Sequence, residues 1–334
     1  MRVLIVGLGS MGKRRVRNLQ ALTAGEVVAF DPREDRRQEA KTKYGIAVYK
    51  DFTSAMAVKP DALVISTGPN LHMQYAHMAL EANKPFFTEA SVTDDGMADL
   101  IKKLSRKKLV GVPSCTMRFY PGPKKIKELI DGGRIGRVLA FTYHSGQYLP
   151  DWHPWEDYRK FYAARKETGA CREIVPFELV WLVWAFGGIE RLSCLMGKVG
   201  DLEVDIDDLY QILFRFQGGA IGHLMVDVLA RPDVRHMRVV GTEGIIEWPA
   251  KENVIRASKM PDYSWENFPL NQGTMEQQYV NPEEPYIEEM NRFLRAVRGE
   301  EPFGYTYEED YQILQILYQA EESSKGEKHA HCKP

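Results

Sequence analysis

The 334-residue chain carries 44 Lys and Arg against 46 Asp and Glu, a formal net charge of −2, which gives no electrostatic case for a nucleic-acid or membrane-surface partner. Hydrophobic residues make up 44% and charged residues 27%, a balance that excludes global disorder. The length suits two domains with a sizeable core.

No apolar run approaches the ~18–20 residues that span a bilayer, and the opening MRVLIV leads into a glycine turn rather than a signal-peptide cleavage site. The four cysteines lack C-x-x-C spacing, so a reduced, cytoplasmic protein is expected. In chain order, residues 2–22 join a β-branched run to G-x-G-x-x-G and then to a helix-compatible segment. Gly7 permits the tight turn, Gly9 lets a pyrophosphate approach the backbone, and Gly12 lets helix pack on strand. The helix opened by Ser10 and Met11 offers free N–H groups and a positive dipole end to the phosphates. A second strand, EVVAFD, ends in Asp31, nineteen residues beyond Gly12. An acidic side chain there binds the adenosine ribose and repels a 2′-phosphate, favouring NAD over NADP. Arg33 follows and could stack on adenine or accept a phosphate. The basic runs 13–15 and 106–108 are expected as solvated helix faces.

Strand and helix signals then alternate: strands at 46–52, 60–70, 84–90 and 109–115, helices at 71–83 and 96–108. This rhythm predicts a doubly wound parallel sheet with ligands beyond the carboxyl ends of its strands. Thr67, Pro69, Asn70, His72, Glu89 and Cys115 fall at or near those ends. The amphipathic segment 124–138 marks a boundary, giving a nucleotide-binding domain over 1–120 and a second domain over 121–325.

The second domain has strand-like runs at 138–148, 191–199, 208–217, 220–229, 235–242 and 244–250. Short glycine turns between three of them point to antiparallel hairpins. PFELVWLVWAF, apolar nearly all round, is a buried helix, and 285–299 and 306–323 are closing helices. The expectation is an α+β domain with an open, mostly antiparallel sheet. Such sheets commonly pair across subunits, so a homodimer or homotetramer through the sheet is expected. Residues 326–334 are expected as a flexible tail despite His329, His331 and Cys332, and no metal is expected. The stretch 148–170, dense in aromatic and charged residues, suits a sugar site with rings for C–H faces and charged groups for hydroxyls. The alternative is that Trp152, Trp155 and Tyr158 pack the loop onto the domain.

On these pieces the chain resembles the glucose–fructose oxidoreductase / inositol dehydrogenase / MocA (Gfo/Idh/MocA) family over nearly its whole length. The matching stretches are GLGSMG, STGPNLH, MRFYP, ELIDGGRIGRV, YLPDWHPWEDYRKFY and EPFGYTYEEDYQILQILYQA. The resemblance implies a Rossmann domain joined to an open-sheet domain, and nicotinamide-dependent oxidation or reduction of a sugar, cyclitol or nucleotide-sugar hydroxyl. YLPDWHPWEDYRKFY looks most like members associated with bacterial surface-sugar pathways.

This chain departs from the family's catalytic pattern. The Glu-Lys-Pro turn is here Glu89-Ala90-Ser91. The helix-borne histidine and later aspartate positions fall on Phe177 and Val180, and no histidine or aspartate occurs between Lys160 and Arg191. Lys84 lies six residues earlier than the missing lysine on the same strand, roughly 20 Å away at ~3.3 Å per residue. General acid–base catalysis is worth ~10²–10⁴-fold, so another group is expected to supply it. Glu178 is the first choice, with Glu173 and Tyr158 behind it, since burial can raise a glutamate into the working range. Arg118, Tyr120, Trp152, His153, Arg159 and Arg172 are the expected substrate contacts. The reading is an NAD-dependent oxidoreductase on a small carbohydrate substrate with a non-standard acid/base set. The competing reading is a catalytically silent NAD-binding regulatory or partner subunit.

Overall fold

The computed structural model describes residues 1–152, 156–271, 273–276 and 281–326. His153, Trp155 and the expected tail from 327 onward lie outside them. The chain forms two compact units, Met1–Phe119 with Gly273–Leu314, and Tyr120–Gln272 with Gln315–Pro334.

The first unit alternates β1 (Arg2–Val6), α1 (Ser10–Ala21), β2 (Glu26–Phe30), α2 (Glu34–Tyr44), β3 (Ala47–Tyr49), α3 (Phe52–Ala57), β4 (Ala62–Ile65), α4 (His72–Glu81), β5 (Phe86–Thr88), α5 (Met97–Leu104) and β6 (Gly111–Pro113). The six strands are parallel in the order β3-β2-β1-β4-β5-β6. Val3–Val6 and Ala62–Ile65 are wholly buried, as strands covered on both faces require. The chain reverses its direction of travel across the sheet between β1 and β4, and this switch point is where such sheets take ligands.

The second unit opens with α6 (Pro121–Asp131) and β7 (Val138–Gly146). α7 (Ala170–Phe186) follows, then β8 (Ile189–Gly197), β9 (Leu209–Phe216), β10 (Ile221–Asp227), β11 (Val234–Gly241), β12 (Gly244–Pro249), β13 (Val254–Lys259) and β14 (Trp265–Pro269). The sheet order is β14-β13-β12-β11-β7-β10-β9-β8. β7 and β10 pair in parallel, and the other neighbouring pairs are antiparallel. Period-two alternation turns Phe141, Tyr143, Ile212, Phe214, Leu224 and Val239 inward. Phe141 stacks on Phe186 of α7 at 4.4 Å, and Tyr143 meets the Trp181 ring edge-on at 5.3 Å. β13 and β14, mixed in polarity and extended by hairpin continuation, are not foreseen from sequence.

Residues 273–314 return to the first unit, which a single boundary after 120 does not foresee. The cause is burial. α8 (Glu284–Val297) packs on α1 and buries Tyr286, Met290, Phe293 and Leu294, with Phe293 5.8 Å from Phe87. α9 (Tyr307–Lys325) begins there too, with Tyr307 beside Phe86 at 6.1 Å.

Candidate active site

Each glycine of the loop after β1 meets a steric demand. Gly7 has φ +96°, and a Cβ on it would lie 2.7 Å from the Ser66 carbonyl oxygen. A Cβ on Gly12 would lie 1.9 Å from the Gly7 carbonyl oxygen, so no larger residue lets α1 sit so near the loop. Around Gly9, which precedes α1, a Cβ would meet only Arg36 Nη1 at 3.8 Å. No side chain caps α1 at Gly9, and a helix N-terminus brings its positive dipole end to the loop. The loop therefore fits a pyrophosphate.

Asp31, 2% exposed, accepts from the Leu8 N–H at Oδ2 and the Arg33 N–H at Oδ1, both 2.8 Å. It thereby ties the loop to the end of β2 and keeps lone pairs for a ribose. Arg33 instead pairs with Asp35 on the surface, while Arg36 stands 3.5 Å from Asp31. Thr67, Pro69 and Asn70 form the loop after β4, entering a short 3₁₀ turn, Pro69–Leu71. There buried His72 is 3.0 Å from the Thr67 carbonyl through Nε2, and burial pushes its pKa down.

Glu89 is committed within the protein. Arg15, wholly buried, donates to both of its oxygens at 2.8 Å and to Glu289 at 2.8 Å. Ser66 adds a bond to Glu89 at 2.7 Å. Glu289 also accepts from Ser114, the Cys115 N–H and Thr116 at 2.7–2.9 Å. Burial raises the Glu89 carboxyl but Arg15 outweighs it, leaving it below the ordinary range, whereas burial holds Glu289 above. The expectation of solvated Arg14 and Arg15 is overturned: they are 2% and 0% exposed. Arg14 and Arg15 turn inward because α8 covers that side of α1, with Glu283 at its N-cap and Glu289 within it as partners, while Lys13 pairs with Glu39.

In the second unit Glu178 is 0% exposed and accepts four hydrogen bonds: Tyr143 at 2.8 Å, Ser145 at 2.9 Å, the Trp181 indole at 2.8 Å and Arg235 at 2.8 Å. Glu173, in the first turn of α7, is held at Oε1 by the Tyr162 hydroxyl at 2.9 Å. Its Oε2 is shielded from solvent with no partner, and burial pushes its pKa up to about 7.

Tyr158 and Arg159 line a cavity of about 640 Å³ with Tyr148, Asp157, Asp201 and Glu203. The Tyr158 hydroxyl accepts from the Glu203 N–H at 3.1 Å, and Arg159 pairs with Asp157 at 2.8 Å. The Trp152 indole donates to the Gln147 carbonyl at 3.2 Å. Arg172 pairs with Glu321 at 2.6 Å, and the Tyr120 ring lies 5.9 Å from the Arg235 guanidinium carbon. In the first unit Arg118 lies over Tyr305 at 4.4 Å and donates to the Gly304 carbonyl at 3.1 Å.

Residues 1–110 match the oxidoreductase family with an NAD-binding Rossmann fold, and residues 124–247 match the GFO/IDH/MocA C-terminal domain. The chain belongs to the Gfo/Idh/MocA oxidoreductase family. It is 25% identical over 339 residues to a myo-inositol 2-dehydrogenase of Thermotoga maritima, covering 97% of this chain and 96% of that protein. Levoglucosan dehydrogenase in complex with NADH and levoglucosan superposes with a TM-score of 0.85 at 19% identity, over 98% of this chain and 97% of the other. An Agrobacterium radiobacter oxidoreductase in complex with NAD+, L-tartaric acid and magnesium gives 0.86 at 14% identity, over 97% and 96%.

This Gfo/Idh/MocA oxidoreductase therefore has an NAD-binding first unit. Sequence reasoning missed the groups that hold its motifs in place: Arg15 behind Glu89, Arg36 beside Asp31, and Arg235 against Glu178. Arg15 and Arg235 lie 74 and 57 residues from the carboxylates they meet, and Arg36 stands on α2 just past Asp31. The one available signal was for Arg15, a cation one helical turn past the glycine loop.

Proposed function

We propose that the protein is an NAD-dependent dehydrogenase acting on a hydroxyl of a sugar, nucleotide sugar or related polyol, with Glu173 rather than Glu178 exchanging the proton. The contrast on α7 carries this reading. Glu178 has four donors, one of them the Arg235 guanidinium, so taking up a proton there would break a buried charged pair. Glu173 has one donor, one shielded oxygen without a partner, and a pKa near working pH, which is what a general base or acid needs.

Glu173 Oε2 would take the hydroxyl proton of the substrate alcohol, the hydride acceptor being NAD+ when it is bound. Tyr162 steadies the carboxylate through Oε1. Tyr148 and Tyr158 line the cavity, with Arg231 already seated over the Tyr148 ring. Asp157, Asp201 and Glu203 outnumber Arg159 in the cavity wall, which favours an uncharged ring over an anionic one. The inositol and levoglucosan dehydrogenases among its relatives support a polyol substrate.

The test is turnover with a panel of cyclitols, anhydrosugars and nucleotide sugars, followed by NADH absorbance. Glu173→Gln is expected to lower kcat by ~10²–10⁴ while leaving NADH affinity unchanged. Wild-type kcat in that variant would sink the assignment. The silent-subunit reading rests on Ala90, Phe177 and Val180, and gains if NAD binds yet nothing in the panel turns over. The expected cytoplasmic location is supported by Cys115, Cys171 and Cys194, all buried free thiols. Among the described residues no helix is long and apolar enough to cross a membrane.

A further inference from the structure

A buried acid stands behind the turn that ends β5. Asp310, in the first turn of α9, is 3% exposed, and Ser91 of the Glu89-Ala90-Ser91 turn is 5% exposed. The Tyr305 hydroxyl donates to Asp310 Oδ1 at 2.8 Å. The Ser91 hydroxyl lies close enough to Asp310 to lower its pKa, yet neither Ser91 Oγ nor Asp310 Oδ2 completes an aligned hydrogen bond. Two buried polar atoms without partners are costly, and protonating the carboxyl adds a second donor through which the contact can close.

The turn is joined to the glycine loop by contacts within the same unit. Glu89 accepts from Ser66 at 2.7 Å, and the Ser66 carbonyl is the group that confines Gly7. We propose that Asp310 is a positioning residue for this turn, coupling the protonation of a buried carboxyl, through the Ser91 hydroxyl, to the affinity of the cofactor loop.

Ionised, Asp310 Oδ2 can only accept from the Ser91 hydroxyl, a contact the structure leaves unaligned. Protonated, it donates through Oδ2 to Ser91 Oγ and releases the serine hydroxyl to donate elsewhere, so the turn has two bonding states. The groups around Asp310 are the Tyr305 and Tyr307 hydroxyls, the Cys115 thiol, Arg118 and Glu309. Burial dominates them and pushes the pKa up to about 6, with Ser91, Tyr305 and Arg118 pulling it down and Glu309 pushing it up. The exchange between states therefore falls near pH 6 rather than at the ordinary carboxylate value.

The experiment is NADH binding to the full-length protein by cofactor fluorescence, between about pH 5 and pH 8. The dissociation constant is expected to change about 5–10-fold, with a midpoint near 6 set by Asp310. Asp310→Asn and Ser91→Ala are each expected to flatten the step, and Ser91→Thr, which restores the hydroxyl, to recover it. Glu173 also titrates near this range, and the Asp310→Asn profile separates it. A flat wild-type profile overturns the proposal, as does an unchanged step in Asp310→Asn or in Ser91→Ala. Should Asp310→Asn fail to fold, Ser91→Ala decides alone, because it removes one hydroxyl and no charge.

Discussion

Glu173 and Glu178 sit on one helix five residues apart, and their surroundings give them opposite chemistry. Glu178 pairs with Arg235 and three neutral donors, so its charge is neutralised where it stands. Glu173 has burial without a counter-ion, which raises its pKa to about 7 from 4.5. The folded state therefore binds this proton more tightly than the unfolded chain. The stability it confers is fully present below about pH 4.5 and is lost as pH rises through about 7. The loss amounts to about 3 kcal/mol at ~1.36 kcal/mol per pKa unit. Glu173→Gln keeps an acceptor for Tyr162 and removes the charge. Its unfolding free energy should thus be flat across that window and exceed wild type at pH 8 by up to about 3 kcal/mol. Urea unfolding at pH 5 and pH 8 checks this, and a wild-type slope in the variant would show that the titrating group lies elsewhere. Sequence alone offered both glutamates and ranked Glu178 first, because it shows which side chains can ionise and not how many donors the fold brings to each.

Among the elements, α1 owes its place to a charge as much as to its glycines. Arg15 is wholly enclosed by Glu89 after β5 and Glu289 on α8, so three elements converge on one guanidinium. Removing the cation alone leaves two buried carboxylates facing each other. Arg15→Met should therefore cost about 3–5 kcal/mol of stability and weaken NADH binding. Adding Glu89→Gln and Glu289→Gln to it should recover most of that stability, since a fully neutral core pays no desolvation of charge. Thermal unfolding of the single and triple variants measures the difference, and additive losses would contradict the account. The glycine motif, the following strand and Asp31 were legible because each answers a local steric or electrostatic demand. Arg15 was not, since a basic triplet on a helix looks solvated until the covering helix is known to return from residue 284. The same return explains why a single boundary near 120 describes only the first crossing between units.

At the scale of the whole molecule, alternation along the strands made both sheets legible, and in the second sheet it turns a set of large aliphatic side chains away from α7. α7 takes the face bearing Phe214, Phe216 and Leu224. The other face presents Leu195, Leu213 and Ile221 at 53%, 54% and 47% exposure, on the adjacent strands β8, β9 and β10. Cross-strand register sets Leu213 opposite Ser193 and His223, and Ile221 opposite Arg215, which itself faces Arg191, so the apolar side chains share this face with polar and basic ones. Large aliphatic side chains held flat and half-exposed on a rigid sheet favour pairing with another copy, and we propose that the expected homodimer or homotetramer places its contact there. Because such an interface is isologous, one substitution counts twice across the two-fold axis. Leu195→Glu with Leu213→Glu should place like charges in contact and shift the sedimentation coefficient to that of a monomer. Neither residue belongs to the cofactor loop, so NADH affinity should stay at its wild-type value. An unchanged sedimentation coefficient in the double variant would put the subunit contact on another surface.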